Sequence, residues 1–320
     1  MSHLIDRDIS AQFEHAQRIL IASHIRPDAD AAGSLLGLGL ALLDKGKSVQ
    51  MVLEDGAGKF HYLPGFEHVT RAPSGEADMT IVVDCSDPDR VGSVLDQYGR
   101  PDLVIDHHKT NLEFGAINLV EPDQVATAAI LVDHMPEWGL ALTSEVAMAL
   151  LAGIVGDTIG FRTPNVDAQV LRKAAQLIDL GADLTRVYHE ELVMRPFEAA
   201  RYWGAGLNRL ERENGLVWTS LTLADREAAG YATDDDADLV NVLSSVRDAE
   251  IAIIFVEQPG GTVKVSWRTR PGLDVSEIAF RFGGGGHAAA AGADIVGGLA
   301  EVKKRVIQET LLLLDKNSAE

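Results

Sequence analysis

Four short stretches of the chain each set Asp or His just beyond an apolar run. ASHIRPDADA contributes His24, Asp28 and Asp30, VVDCS contributes Asp84, VIDHHKTN contributes Asp106, His107 and His108, and VGDTIG contributes Asp157. Carboxylates brought within a few ångströms of one another cannot all stay ionised unless cations neutralise them. A dinuclear site meets that requirement, because two cations about 3.5 to 4 Å apart activate a bridging water and clamp the oxygens of an in-line displacement at phosphorus. Mixed carboxylate and imidazole donors suit two Mn²⁺ ions, while Mg²⁺, zinc, iron or cobalt remain compatible with the same ligand types. Taken singly, Asp84, Asp157 or His24 reads equally well as a cap, a turn residue or a hydrogen-bonded core histidine, and Asp28 and Asp30 as the start of an Ala-rich helix. Their recurrence at the ends of apolar runs favours a shared site.

A second signal lies in RFGGGGHAAAAGA, residues 281–293. The glycines Gly283 to Gly286 would let backbone N–H groups approach an anion, with His287 at the entrance of a following Ala-rich helix that adds its positive end. Just upstream, KVSWRTR alternates so that Lys264, Ser266, Arg268 and Arg270 share one strand face and Val265, Trp267 and Thr269 the other. Arg268 is suited to fork onto a phosphate. Asp234, Asp235 and Asp236 read as the solvated start of a helix rather than a metal site.

The elements that must position these residues alternate in the first 190 residues or so as in a doubly wound α/β domain. RILIASH, SVQMVLE, MTIVVDCS and PDLVIDHH read as strands whose continuous apolar character fits a mainly parallel sheet covered on both faces. Residues 31–45, 125–138, 144–156 and 167–180 read as helices. In an open parallel sheet the strand ends converge on one edge, where ligands bind. Residues 196–212 carry the spacing of a linker helix, and GLVWTSLTL, EIAIIFVEQ and GTVKVSWRT resemble strands of a smaller mixed sheet, the last two joined through EQPGG. The expected division is a catalytic domain over 1–190, a linker helix over 191–212 and a smaller α/β substrate-binding domain over 213–320.

Bulk properties narrow the partners. The 320 residues are 46% hydrophobic, and 48 acidic against 28 basic residues leave a formal charge of −20. Such a field repels duplex DNA and anionic membranes, so a phosphate-bearing ligand must be gripped locally. One cysteine, Cys85, excludes an intrachain disulfide, and the N-terminus lacks the pattern of a signal peptide, so the cytoplasm is the default location. No apolar run reaches membrane-spanning length. Aromatic residues at 6% speak against a long stacking groove for single strands.

In HIRPDAD, VVDCS, IDHH, GDT and GGGGH the chain resembles, over nearly its whole length, the DHH phosphoesterase superfamily with its DHH-associated C-terminal domain. The resemblance implies that His24, Asp28 and Asp84 hold one cation and that Asp30, Asp84, His107 and Asp157 hold the other, Asp84 bridging. It implies that His108 faces the scissile phosphate, that Asp106 orients an imidazole, and that Arg268, Ser266, Gly284, Gly285, Gly286 and His287 grip the far end of the nucleotide. The implied activity is hydrolysis of single-stranded oligonucleotides of about two to five nucleotides, or of a nucleotide bisphosphate, through a metal-bridging hydroxide. Hydrolysis of linear pApA or a cyclic dinucleotide, and a non-catalytic nucleotide sensor, stand as alternatives; a homodimer is compatible with the sequence. The chain departs from the family pattern at Ala29, which needs φ below zero, at VATA, which lacks a hydroxyl before Thr127, and at Ile159, where a glycine is usual.

Overall fold

A computed structural model of the chain describes residues 2–56 and 58–317. They form two compact units divided between Met194 and Arg195. In the first, chain order runs α1 (Ser2–His15), β1 (Arg18–Ala22), α2 (Ala29–Asp44), β2 (Ser48–Val52), β3 (Val69–Thr70), β4 (Met79–Val83), β5 (Leu103–Asp106), β6 (Ile117–Val120), α3 (Thr127–His134), α4 (Ser144–Asp157), α5 (Ala168–Asp179) and α6 (Leu184–Tyr188). The six strands lie in the order β3-β2-β1-β4-β5-β6, every neighbouring pair parallel.

The apolar runs alternate across this sheet. Ile19, Ile21, Ile81, Val83, Leu103 and Ile105 join the large core with α2, α3 and α4, whereas Leu20, Ala22, Val82 and Val104 pack on the other side with Val91 and Val94. The second face is therefore covered by the short 3₁₀ turns of Pro88–Gln97 rather than by a long helix. Helices α2 and α4 approach closely because two contacts tolerate only glycine. A Cβ on Gly33 would stand 2.4 Å from the Ala149 carbonyl oxygen, and one on Gly153 2.6 Å from Asp30 Oδ1.

Several boundaries differ from the sequence expectation. Strand β1 stops at Ala22, so His24 sits in the following loop, and α2 begins at Ala29, with Asp28 as its N-cap accepting from Asp30 N and Ala31 N. Ala29 lies outside the residues with positive φ, as its place demands. Helix α5 is capped by Asp167.

The second unit comprises α7 (Phe197–Leu207), β7 (Glu211–Glu213), β8 (Leu216–Leu221), α8 (Leu223–Ala229), α9 (Leu239–Leu243), β9 (Ile251–Gln258), β10 (Thr262–Thr269), α10 (Ser276–Arg281), β11 (Gly285–His287), β12 (Ala290–Val296) and α11 (Leu299–Asn317). Its sheet runs β11-β12-β10-β9-β8-β7 and is mixed, only β8 and β9 pairing in parallel. The two expectations for the glycine run separate here. No Ala-rich helix follows it: Gly285–His287 and Ala290–Val296 form an antiparallel hairpin. Helix propensity of the alanines loses to pairing with β10, and the helix-dipole argument for anion binding goes with it. The glycines serve close approach instead, since a Cβ on Gly284 would meet the Gly292 carbonyl oxygen at 2.0 Å and one on Gly286 the Ala290 carbonyl oxygen at 2.5 Å. The acidic triplet is also less solvated than expected. Asp235 Oδ1 accepts from Tyr231 Oη and Ala237 N, and Asp236 Oδ2 accepts from Val240 N at 2.9 Å, so both are built into the turn before α9.

Candidate metal centre

Because β1, β4 and β5 are parallel, the loops after them open on one sheet edge, as does the N-terminus of α2. Asp84 directly follows β4, and Asp106 closes β5 with His107 and His108 beyond it. Helix α4 brings Asp157 to the same place from its last turn. Three groups of donor atoms result, each within 4.8 Å: His24, Asp28 and Asp84; Asp30, His107 and Asp157; Asp84, His107 and His108. The six residues expected to hold cations are thus together, and Asp84 belongs to two of the groups.

The imidazoles are oriented before any cation arrives. His24 Nδ1 donates to the Ile25 carbonyl oxygen at 2.8 Å, which turns Nε2 towards Asp28 Oδ2 at 3.9 Å and Asp84 Oδ2 at 3.6 Å. His107 follows the same plan: Nδ1 meets the Gln124 carbonyl oxygen at 3.4 Å, and Nε2 faces Asp157 Oδ2 at 3.2 Å, Asp84 Oδ1 at 3.7 Å and Asp30 Oδ2 at 4.0 Å. An Nδ1–H committed to a carbonyl leaves the neutral ring's lone pair on Nε2, the tautomer a metal ligand needs. His108 is held otherwise. Its Nδ1 donates to Asp106 Oδ1 at 2.7 Å, and Asp106 Oδ2 accepts from Asn111 Nδ2 at 2.7 Å. Asp106 therefore orients His108 and not His107.

Asp30 has a duty that the sequence did not disclose. Fully buried, it accepts from Thr127 N at 2.6 Å, Ala128 N at 2.9 Å and Ser34 Oγ at 3.1 Å. It thus caps the first turn of α3, whose own N-cap residue, Ala126, makes no side-chain bond. The Thr127 hydroxyl donates to Asp84 Oδ1 at 3.0 Å. Thr127, Gln124, Ser34 and Asn111 are residues that reading the motifs alone missed. The only trace of them was the departure at VATA, which removes one hydroxyl and leaves Thr127.

Electrostatics state the same requirement. Burial, then the carboxylates of Asp84 and Asp157, hold Asp30 well above the ordinary carboxylate range. Burial also pushes Asp157 up to about 6, against the bond from His107. Burial works against the Asp84 carboxylate too, yet the imidazoles of His24, His107 and His108 hold its pKa below the usual range. For His107 burial favours the neutral ring, but Asp157, Asp30 and Asp84 raise it to about 10. Crowded carboxyls whose pKa values are raised in this way call for positive charge, and the cluster's oxygen and nitrogen donors fit divalent cations.

The other expected residues belong to the second unit. Register places Arg268 opposite Ala290, itself opposite His287, and Ser266 opposite Gly292, itself opposite Gly285, so both pairs share rows across β12. The Arg268 guanidinium is partly engaged, Nε donating to Asn241 Oδ1 at 3.1 Å and Nη1 to the Trp267 carbonyl oxygen at 3.0 Å. Val263, Val265 and Trp267 are buried on the opposite face, as the alternation of that strand requires.

A parallel sheet in this strand order, with paired acid–imidazole groups at its carboxyl edge, is the architecture of a DHH protein, and the chain belongs to that family. The DHH family, N-terminal domain, matches residues 18–154 and the DHHA1 domain residues 223–312. The bifunctional oligoribonuclease and PAP phosphatase NrnA of Thermus thermophilus is 35% identical over 296 residues, spanning 91% of this chain and 88% of that protein. Its Bacillus subtilis counterpart is 24% identical over 294 residues, 87% of this chain and 89% of that one. Among solved structures, an exopolyphosphatase-related protein of Bacteroides fragilis superposes with a TM-score of 0.87 at 22% identity, covering 98% of this chain and 96% of its own. RecJ of Thermus thermophilus, solved with Mn²⁺, shares the fold at a TM-score of 0.55 and 15% identity, covering 94% of this chain and 54% of its own.

Proposed function

We propose that this chain is a metal-dependent phosphoesterase that shortens oligonucleotides of a few residues to mononucleotides and removes the 3′-phosphate of adenosine 3′,5′-bisphosphate. The observation that carries the reading is the pair of acid–imidazole groups sharing Asp84 at the sheet edge. The relatives named as oligoribonuclease and PAP phosphatase support the substrate class. His24, Asp28 and Asp84 would hold one cation and Asp30, Asp84, His107 and Asp157 the other, with Mn²⁺ the ion of choice and Mg²⁺ a substitute. Bound there, divalent ions would supply activation of water at neutral pH and charge stabilisation for the transferring oxygens.

The chain's own groups do the rest. Nδ1–H bonds to backbone carbonyls fix the rings of His24 and His107, so ordering them costs little at binding. His108, locked by Asp106, would present its ring to the phosphate; burial favours the neutral ring, while Asp106 and Asp84 raise its pKa above the ordinary imidazole value. Catalysis is assigned to residues 1–190, with residues 191–212 as linker. In the domain over 213–320, Arg268, Ser266, Gly284, Gly285, Gly286 and His287 would hold the nucleotide's other phosphate. We assign the enzyme to the cytoplasm on its single cysteine; no described helix is long and apolar enough to cross a membrane.

Turnover with Mn²⁺ or Mg²⁺ across pAp, pApA, pGpG, a five-mer and cyclic diadenylate tests the proposal. Release of mononucleotides from the linear substrates and of phosphate from pAp supports it. Preference for the cyclic compound would move the assignment to a cyclic-dinucleotide phosphodiesterase, and tight binding without turnover to a sensor.

A further inference from the structure

The helix that delivers Asp157 ends in an unusual way. Gly160 N donates to the Val155 carbonyl oxygen at 2.8 Å and Ile159 N to that of Gly156 at 3.0 Å, the paired bonds that close a helix around one left-handed residue. The same closure ends α2, α5 and α8, and there the left-handed residue is Gly46, Gly181 or Gly230. At the end of α4 it is Ile159, with φ of 49°. A β-branched side chain is the least suited to that conformation.

Membership of the hydrophobic core does not explain the choice. Phe161, also left-handed at φ of 65°, packs against the main core, and its N–H donates to Thr158 Oγ1 at 2.9 Å. Ile159 is half-buried and, among the described residues, joins none of the hydrophobic clusters. A strained, half-buried isoleucine thus follows Asp157 by two residues in the chain and lies outside the hydrophobic clusters. Strain kept at such a place points to a use in binding.

We infer that Ile159 is a specificity-determining residue, an apolar platform beside the metal centre for the sugar or base of a nucleotide. The inference rests on the phosphoester reading above and adds to it a contact with the nucleoside rather than the phosphate. It predicts discrimination between ligands that share a phosphate and differ in the nucleoside.

The full chain loaded with Mn²⁺, with Ile159→Gly and Ile159→Leu beside the wild type, tests this by equilibrium titration with AMP and with inorganic phosphate. Ile159→Gly should weaken AMP about tenfold, equivalent to about 1.4 kcal/mol, as expected when part of an isoleucine no longer covers apolar surface. Phosphate affinity and the number of Mn²⁺ bound should hold, and Ile159→Leu should keep AMP affinity within about threefold of the wild type. Relief of the left-handed strain should keep the Tm of Ile159→Gly at least at the wild-type value, or raise it by up to about 4 °C. Equal weakening of AMP and phosphate would mean that Ile159 acts through Asp157, and no weakening of either would mean that the strain is merely tolerated. Either result overturns the inference, as does a wild type that does not bind AMP. A wild type that turns over none of the phosphoesters would sink the assigned reaction, while the AMP-to-phosphate ratio would still read Ile159.

Discussion

Asp84 offers the sharpest test, and asparagine is the substitution to use. Its φ of 54° is left-handed, a conformation that Asp and Asn adopt more readily than alanine, and an amide oxygen keeps an acceptor for the Thr127 hydroxyl now 3.0 Å away. Asp84→Asn therefore removes a charge and a shared ligand while sparing the fold. Asp84→Ala adds about 1–2 kcal/mol of backbone cost to the same loss. One cation would keep only His24 and Asp28 and the other Asp30, His107 and Asp157. Disturbing even the partners that orient a ligand costs about 10–100-fold in affinity, so loss at both positions should weaken joint occupancy by at least about 10²–10⁴-fold. A wild type saturated at about 100 times its dissociation constant gains about 2.7 kcal/mol per ion, or roughly 5–10 °C in Tm for a unit of this size. Thermal melts with Mn²⁺ and with chelator, beside metal counting and turnover, should show the wild type stabilised by Mn²⁺ and Asp84→Asn scarcely so. Turnover should fall by about 10³-fold or more. Two bound ions and near-normal turnover in a folded Asp84→Asn would refute the shared-ligand geometry.

Other perturbations separate roles within and around the centre. His107→Ala should reduce Mn²⁺ affinity, because its Nε2 faces three carboxylates, whereas His108→Ala should chiefly reduce turnover; isotherms with the opposite ranking would reverse the two assignments. Gly153→Ala should cost about 1–3 kcal/mol and lower Mn²⁺ affinity with it, since the new methyl stands 2.6 Å from Asp30 Oδ1; unchanged melting would show that α2 and α4 can separate freely. Away from the centre, His134 lies between Asp6 Oδ1 at 2.6 Å and Glu121 Oε1 at 3.0 Å; burial favours the neutral ring, but these acids raise its pKa to about 9. Because the folded value lies above the unfolded one of about 6.5, its stabilisation is complete below about pH 6.5 and is lost as pH rises through about 9. After allowance for solvent reaching Glu121, this is about 2–3 kcal/mol, so the Tm advantage of wild type over His134→Gln in chelator should shrink from pH 6.5 to 9.5. An advantage that grows over that range would show the ring to be neutral in the fold.

The sequence by itself determined the sheet and the candidates for the donor set. Continuous apolar runs ending in Asp or His are local signals, and parallel strands bring such ends to one edge whatever the loops do, so the acids and histidines of that edge could be named without coordinates, and the family resemblance then singled out His24, Asp28, Asp30, Asp84, His107 and Asp157 among them. The alternation in β10 was equally legible, because side-chain direction along a strand has a period of two. What only the tertiary structure decided depends on partners distant in the chain. Whether a ring donates Nδ1–H to a carbonyl or to a carboxylate separates His107 from His108, and neither acceptor is marked by spacing. Asp30 caps α3 from 97 residues away. The alanines after the glycine run become a strand because β10 offers them a full ladder of bonds, which outweighs an intrinsic helix preference of less than about 1 kcal/mol per residue. Local composition fixes what a segment can do, and long-range hydrogen bonding and packing select which of those possibilities the fold uses.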